Sequence, residues 1–209
     1  MYIPTANEEK RIPVMQALIV SHPLATLVTL GAAGLLASHI PMTLEDDGSE
    51  FGILQGHVSR ANTQWHDLVS STDALAIFAG AQHYVSPSWY PAKAEHGKVV
   101  PTWNYAVVHA YGPVRVIEDA QWLRAHVERL TKIHEANFPV PWKVGDAPDE
   151  YVASMLRGIV GFELPIQRLE GKWKISQNRS ERDRDGIATG LQKLNTPESL
   201  AMKILMEES

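Results

Sequence analysis

The chain has 209 residues, 44% of them hydrophobic and 21% charged, with a net charge of -5 and no cysteine. That composition fits one globular domain, or a domain with an appendage, and it excludes disulfides, thiolate zinc sites, cysteine nucleophiles and dithiol redox chemistry. The acidic balance excludes bulk attraction to polyanions, and no apolar run is long enough to span a bilayer.

In chain order, the opening MYIPTANEEKR lacks the basic-then-apolar layout of a secretory signal, so a cytoplasmic protein with no membrane contact is expected. Residues 8–21 read as a helix, with Asn7 as cap and Pro13 marking a kink or a late start. LATLVTL (24–30) alternates apolar residues with threonine, and GLLASHIPMTL (34–44) resumes the extended pattern after a four-residue loop, giving a hairpin. FGILQGHV (51–58) is a third strand. Residues 61–70 form a short helix with Trp65, Leu68 and Val69 facing inward. Further strands are expected at 73–80, 83–87 and 99–117.

Residues 119–137 give the clearest helix, capped by Asp119, with Leu123, Val127, Leu130 and His134 on its inner face. Another helix follows at 149–157, then strands near 159–169 and 172–176. A charged segment (179–185) leads to a helix opening at Thr196-Pro197, where proline suits the first turn. Many short strands with few intervening helices point to a mainly β protein, an antiparallel barrel with peripheral helices. The expected division is a barrel domain over residues 1–180 and a helical C-terminal appendage over 181–209.

Four segments could carry chemistry. GHVSRANTQW (56–65) sets Ser59, Arg60 and Asn62 at a strand-to-helix junction, where a hydroxyl, a guanidinium and backbone N–H groups can grip a phosphate. The alternative there is an ordinary capped surface helix. ASHIPMTL (37–44) places His39 beside Ile40-Pro41; proline confines such a strand to an edge or bulge, leaving backbone groups free for a ligand. VSPSWYP (85–91) and VPTWNYAVVHAYG (100–112) interleave Trp89, Tyr90, Trp103, Asn104, Tyr105 and His109 with small polar residues, as ligand pockets, subunit contacts or aromatic cores do. From Arg168 to Arg184 there are six basic residues against three acidic ones, a net of +3 that marks either an anion site or a solvated charged face.

Other chemistries lack their motifs. No G-x-G-x-x-G, Walker loop or G-x-S-x-G elbow is present, and His134-Glu135 lacks the second histidine of a zincin. No metal site is expected.

Taken in order, ASHIPMTL, GHVSRANTQW, VSPSWYP, VPTWNYAVVHAYG and GKWKISQNR…DRDGI…GL resemble the PaiB family, FMN-binding negative transcriptional regulators related to the FMN-binding split barrels. The resemblance runs from Met1 to about Leu205. It implies an antiparallel split β-barrel, FMN as cofactor, and a homodimer with two flavin sites at the subunit interface. It also implies that His39, Ile40, Pro41 and Met42 run past the isoalloxazine ring, while Ser59 and Arg60, with Asn62 nearby, hold the ribityl phosphate. Trp103, Asn104, Lys172, Gln177 and Arg179 would close the pocket. FMN has one phosphate and no adenosine, so a Ser/Arg junction can serve where a dinucleotide needs a glycine-rich turn.

Three functions follow from this: a flavin-dependent sensor or regulator, a flavin oxidoreductase with His39, His57, His109 and Tyr105 as proton donors, or a DNA- or protein-binding module without cofactor. A haem-binding relative of the barrel is a variant of the second. Direct DNA contact has weak support. The helix-turn-helix-like stretch lies at 183–207, and residues 181–209 carry four basic against six acidic side chains, a net of -2.

Overall fold

The computed structural model describes residues 1–70 and 73–208, and the side chains of residues 69 and 70 are outside the description. The inward placement of Val69 therefore lies outside the described residues.

After a 3-10 turn at Thr5–Asn7 come β1 (Glu8–Glu9) and α1 (Ile12–Ser21). The helix thus starts late, as Pro13 allows in a first turn that needs no N–H partner. Glu8 and Glu9 instead pair antiparallel with Lys172 and Gly171. Next are β2 (Leu24–Gly31), β3 (Gly34–Pro41), β4 (Thr43–Glu45) and β5 (Ile53–Ser59). The β2–β3 hairpin runs in register from Leu24↔Pro41 to Gly31↔Gly34, and it closes through Ala32-Ala33 with Gly34 at φ 105°. The expected strand over 34–44 is interrupted at Met42, whose N–H donates to Pro23 O (2.9 Å). Beyond that residue the chain enters a different sheet.

The remaining elements are α2 (Gln64–Ser70), β6 (Ala74–Val85), α3 (Ala92–His96), β7 (Thr102–Gly112), β8 (Arg115–Ile117), α4 (Ala120–Glu135), α5 (Asp149–Arg157), β9 (Ile159–Pro165), β10 (Arg168–Lys174), α6 (Glu181–Leu194) and α7 (Pro197–Glu207). The two strands expected at 73–80 and 83–87 are one strand, β6, with no proline to break it. The long run at 99–117 divides instead at Pro113, which ends β7. β10 begins four residues before the expected start at Lys172. The charged segment 179–185 is mostly helical: Ser180 caps α6 by accepting Asp183 N–H (3.2 Å).

The chain forms two compact units. The first holds residues 1–18, 79–108 and 170–209, and the second holds residues 19–78 and 109–169. In the first, strands follow the order β1-β10-β7-β6, and α6 packs with α7. Its apolar centre includes Met15, Val85, Tyr90, Trp173, Ile187, Leu191 and Met202. Gly186 and Gly190 face Trp89 so closely that a Cβ would stand 2.1 Å from its carbonyl oxygen or 2.4 Å from its ring.

In the second unit β6 pairs with β2 and β2 with β3, leaving β3 at a sheet edge, while a separate sheet runs β4-β5-β9-β8. The pairings are antiparallel. Its core is built from Leu27, Leu54, Phe78, Leu123, Phe162 and Leu164. Asp119 caps α4 through Trp122 N–H (2.7 Å). One correction applies to its inner face: His126 is buried with Leu123, Val127 and Leu130 are half-buried, and His134 is exposed. Position 126 is three residues from 123, so it continues the same face of the helix. Among the described residues no helix is long and apolar enough to cross a membrane, and no group of three or more His, Asp or Glu could hold a metal.

Candidate functional site

The first seven site residues lie together in the second unit. Alternation along the hairpin sends Ser38 and Ile40 to one face and His39 to the other. Ile40 is buried, and Pro41 is half-buried at the end of β3. His39 is exposed and shares a hydrogen bond from Nδ1 with its cross-strand partner Thr26 Oγ1 (3.1 Å). Met42 is buried and its N–H is already committed to Pro23. A ligand beside this strand would therefore meet the unpaired backbone groups of an edge, more than the His39 imidazole.

Ser59 ends β5 with an exposed hydroxyl that accepts Ala61 N–H (3.3 Å). Arg60 donates its backbone N–H to Gly158 O (2.8 Å). Its guanidinium donates to Arg157 O (3.0 Å), Ile159 O (3.3 Å) and Glu118 Oε2 (2.6 Å). Three of about five guanidinium N–H groups are thereby used, and two remain for an anion. Asn62 fixes the corner against the edge strand. Its Nδ2 donates to Ser38 Oγ (3.1 Å), and its Oδ1 accepts Gln64 N–H (3.1 Å). Trp65 Nε1 donates to Arg60 O (3.1 Å). With seven residues, α2 is a short helix, so the Ser59 and Arg60 side chains must supply most of any grip on phosphate. Beside Arg60 opens a cavity of about 730 Å3, bordered by Glu118, Leu123, Arg124, Leu156 and Arg157.

Three contributors escaped the sequence reading. Ser38 was visible only as a neighbour of His39. Gln64, fully buried, extends Nε2 toward Leu27 O (3.2 Å), Thr29 Oγ1 (3.1 Å) and Leu36 O (3.3 Å), pinning α2 to both hairpin strands. Glu118, the Arg60 partner, is 58 residues away in sequence and had no local signal.

The other five candidates lie in the first unit. Trp103 is exposed and meets Tyr84 edge-on (6.1 Å between centroids), whereas Asn104 is fully buried and accepts Ser176 Oγ–H (3.0 Å). Lys172 donates to Tyr2 O (3.1 Å) and lies 5.4 Å from the centroid of Tyr105. Gln177 is held by Ile175 N–H (2.9 Å) and by the carbonyls of Ala6 (2.8 Å) and Trp173 (2.6 Å). Arg179 stands 5.1 Å from the Tyr90 centroid.

Of the suggested proton donors, His57 is occupied in the second unit, where its Nδ1 lies 3.1 Å from His126 Nε2. His109 Nδ1 lies 3.2 Å from the Tyr111 hydroxyl. Burial lowers the pKa of His57 and, helped by the positive charges of His57 and Arg129, lowers that of His126 to about 4.

The fold is of the antiparallel split-barrel class. It resembles the solved structure of the FAD and heme binding protein from Mycobacterium smegmatis, with a TM-score of 0.61, 16% identity and coverage of 88% of this chain and 80% of that one. The chain belongs to the PaiB-type family whose model carries the description "Putative FMN-binding domain" and matches residues 1–168. It is 31% identical to Protease synthase and sporulation protein PAI 2 of Bacillus subtilis over 100% of this chain and 97% of that one. An uncharacterized protein of Emericella nidulans is 36% identical, over 94% of this chain and 92% of its own length.

Proposed function

We propose that this protein binds FMN at the corner between β5 and α2, and acts as a homodimeric, flavin-dependent negative regulator of transcription. The observation that carries the site is the Asn62–Ser38 hydrogen bond, which fastens the Ser59-Arg60 corner to the edge strand β3. In the proposed arrangement Ser59 Oγ and the uncommitted N–H groups of Arg60 hold the phosphate. The exposed backbone from His39 to Pro41 lies along the polar edge of the ring, with Ile40 and Met42 anchoring that backbone to the core. Bound FMN would supply one- and two-electron redox chemistry. Trp103, Asn104, Lys172, Gln177 and Arg179 are proposed to close the cleft in the dimer.

A dimer is supported by the outer face of the hairpin, where Leu24, Leu30 and Leu35 are 62%, 64% and 77% exposed. Leucines grouped on one such face gain most from being covered by a second subunit. Regulation is proposed to pass through the flavin state of the dimer. The element resembling a DNA reader, α6 with α7, buries Ile187, Leu191, Met202 and Met206 while Leu194 and Ile204 stay exposed, and the tail from 181 onward carries a net charge of -2. A salt-resistant footprint lost on replacing exposed α6 side chains would contradict this route.

The test of the flavin site is an absorbance spectrum of protein purified from a flavin-replete host, with mass spectrometry of the molecule it releases. The expected result is a flavin spectrum and a released mass matching FMN. A colourless protein that leaves the fluorescence of added FMN unquenched would refute the assignment.

A further inference from the structure

The first unit contains a small polar cavity of about 110 Å3, lined among others by Asn7, Thr102, Asn104, Lys174, Ser176 and Arg179. At ~30 Å3 per water it has room for about four, enough for a phosphate or carboxylate group and far too little for a tricyclic ring. Its lining includes two cations and no carboxylate. Neither Lys174 nor Arg179 makes an ion pair among the described residues.

Lys174 donates to Thr102 Oγ1 and to Trp103 O (2.6 Å), which are neutral acceptors. Burial lowers its pKa, and the nearby charges of Lys172 and Arg179 push in the same direction. Three like charges gathered at a partly buried place repel one another, and a bound anion would relieve that repulsion.

Tyr90, only 2% exposed, lies behind Ser176 and Arg179, which line the cavity, and its hydroxyl interacts with both. Asp183, the acid that also acts on Tyr90, already accepts Ala92 N–H (3.3 Å). Ser176 also adopts φ 63°, a left-handed backbone seldom taken by a non-glycine residue. That conformation follows the end of β10 and accompanies the turn in which Arg179 N–H donates to Ser176 O (3.0 Å).

We propose that this cavity is an oxyanion-binding site of the first unit, with Arg179 and Lys174 supplying both charge and N–H donors. It goes beyond the Ser59-Arg60 corner of the second unit, with which it shares no residue, although Asn104 and Arg179 are also among those proposed to close the flavin cleft. Its occupant carries a phosphate-like or carboxylate group, either as a free anion or as the terminus of a mononucleotide.

The experiment is a calorimetric titration of the full chain with inorganic phosphate at fixed pH and ionic strength. Saturable binding at one site per chain is expected. Arg179→Gln should weaken it by about tenfold or more, and Lys174→Gln should do the same. Arg182→Gln, at an exposed arginine paired with Glu95, should leave it unchanged. Absence of saturable binding in the wild type, or equal binding by all variants, overturns the proposal.

FMN and riboflavin titrations then separate the two sources. If Arg179→Gln weakens FMN and spares riboflavin, the occupant is the mononucleotide phosphate. If it spares both flavins while phosphate binding is lost, the occupant is a free anion. Phosphate binding in a chain that binds no flavin would sink the flavin site and leave this one standing. Flavin binding without phosphate binding would do the reverse.

Discussion

His126 shows how much one buried side chain can say about the physics of this protein. Its Nε2 faces His57 Nδ1, its ring stacks on Trp122 (5.2 Å, 12° between planes), and its Nδ1 is buried without a partner. Burial comes first among the causes that hold its pKa near 4. Between about pH 4 and the ordinary histidine value near 6.5, the unfolded chain binds a proton that the folded chain refuses. Stability from this group is therefore complete above pH 6.5 and falls as the pH drops, by about 2 kcal/mol at pH 5. Urea midpoints measured from pH 7.5 to 5 should show the decline, and His126→Phe should flatten it; an equally steep profile in the variant would refute the account.

Arg60 is the residue whose role changed most when its surroundings became visible. From sequence it is expected to hold a phosphate; in the structure it ties Glu118 and the carbonyls of Arg157 and Ile159 to the end of β5. Arg60→Ala should cost about 1 kcal/mol of stability in a half-exposed setting, besides lowering FMN affinity by about tenfold or more. Arg60→Lys keeps the charge without the fork, so its FMN affinity should fall between the two. Fluorescence titration alongside denaturant unfolding separates the effects, and full FMN affinity in Arg60→Ala would move the phosphate elsewhere.

At the scale of elements, sequence pattern succeeded where a local rule dominated. The hairpin β2–β3, the cap of α4 and the Pro197 start of α7 each depend on residues within a few positions of one another. It failed where a distant partner decided the outcome. The break between β3 and β4 depends on the Met42–Pro23 bond and on the pairing of Thr43 with Gln55. α6 offered no strong apolar stripe at its start, and two glycines weaken any helix signal. Those glycines are required, because Trp89 occupies the space a Cβ would need. Gly186→Ala should therefore destabilise the fold by about 3 kcal/mol, through overpacking against a backbone carbonyl that cannot swing away. A thermal midpoint equal to that of the wild type would show that α6 sits farther from Trp89.

For the whole molecule, the net charge of -5 and the exposed leucines of the hairpin pull toward different partners. The charge disfavours nonspecific attraction to DNA, while the leucines favour a protein surface. Leu35→Glu should convert a dimer to monomers in sedimentation velocity while the monomer stays folded, since Leu35 is 77% exposed and contributes little to its own core. A wild-type chain that sediments as a monomer at high concentration would remove the dimer altogether.

By itself the sequence determined the antiparallel, mainly β class and the family, because alternation, turn residues and ordered motifs are properties of neighbouring positions. It also placed Ser59, Arg60 and Asn62 between a strand and a short helix, because they lie within a few positions of one another. Only the tertiary structure decided that Asn62 reaches Ser38, that Arg60 is shared with Glu118, that His126 replaces His134 on the inner face of α4, and that Tyr90 and Asn104 are buried near Ser176. Each of those facts depends on two segments tens of residues apart meeting in space, and a hydrogen bond or a lost hydration shell between them leaves no mark on either segment alone.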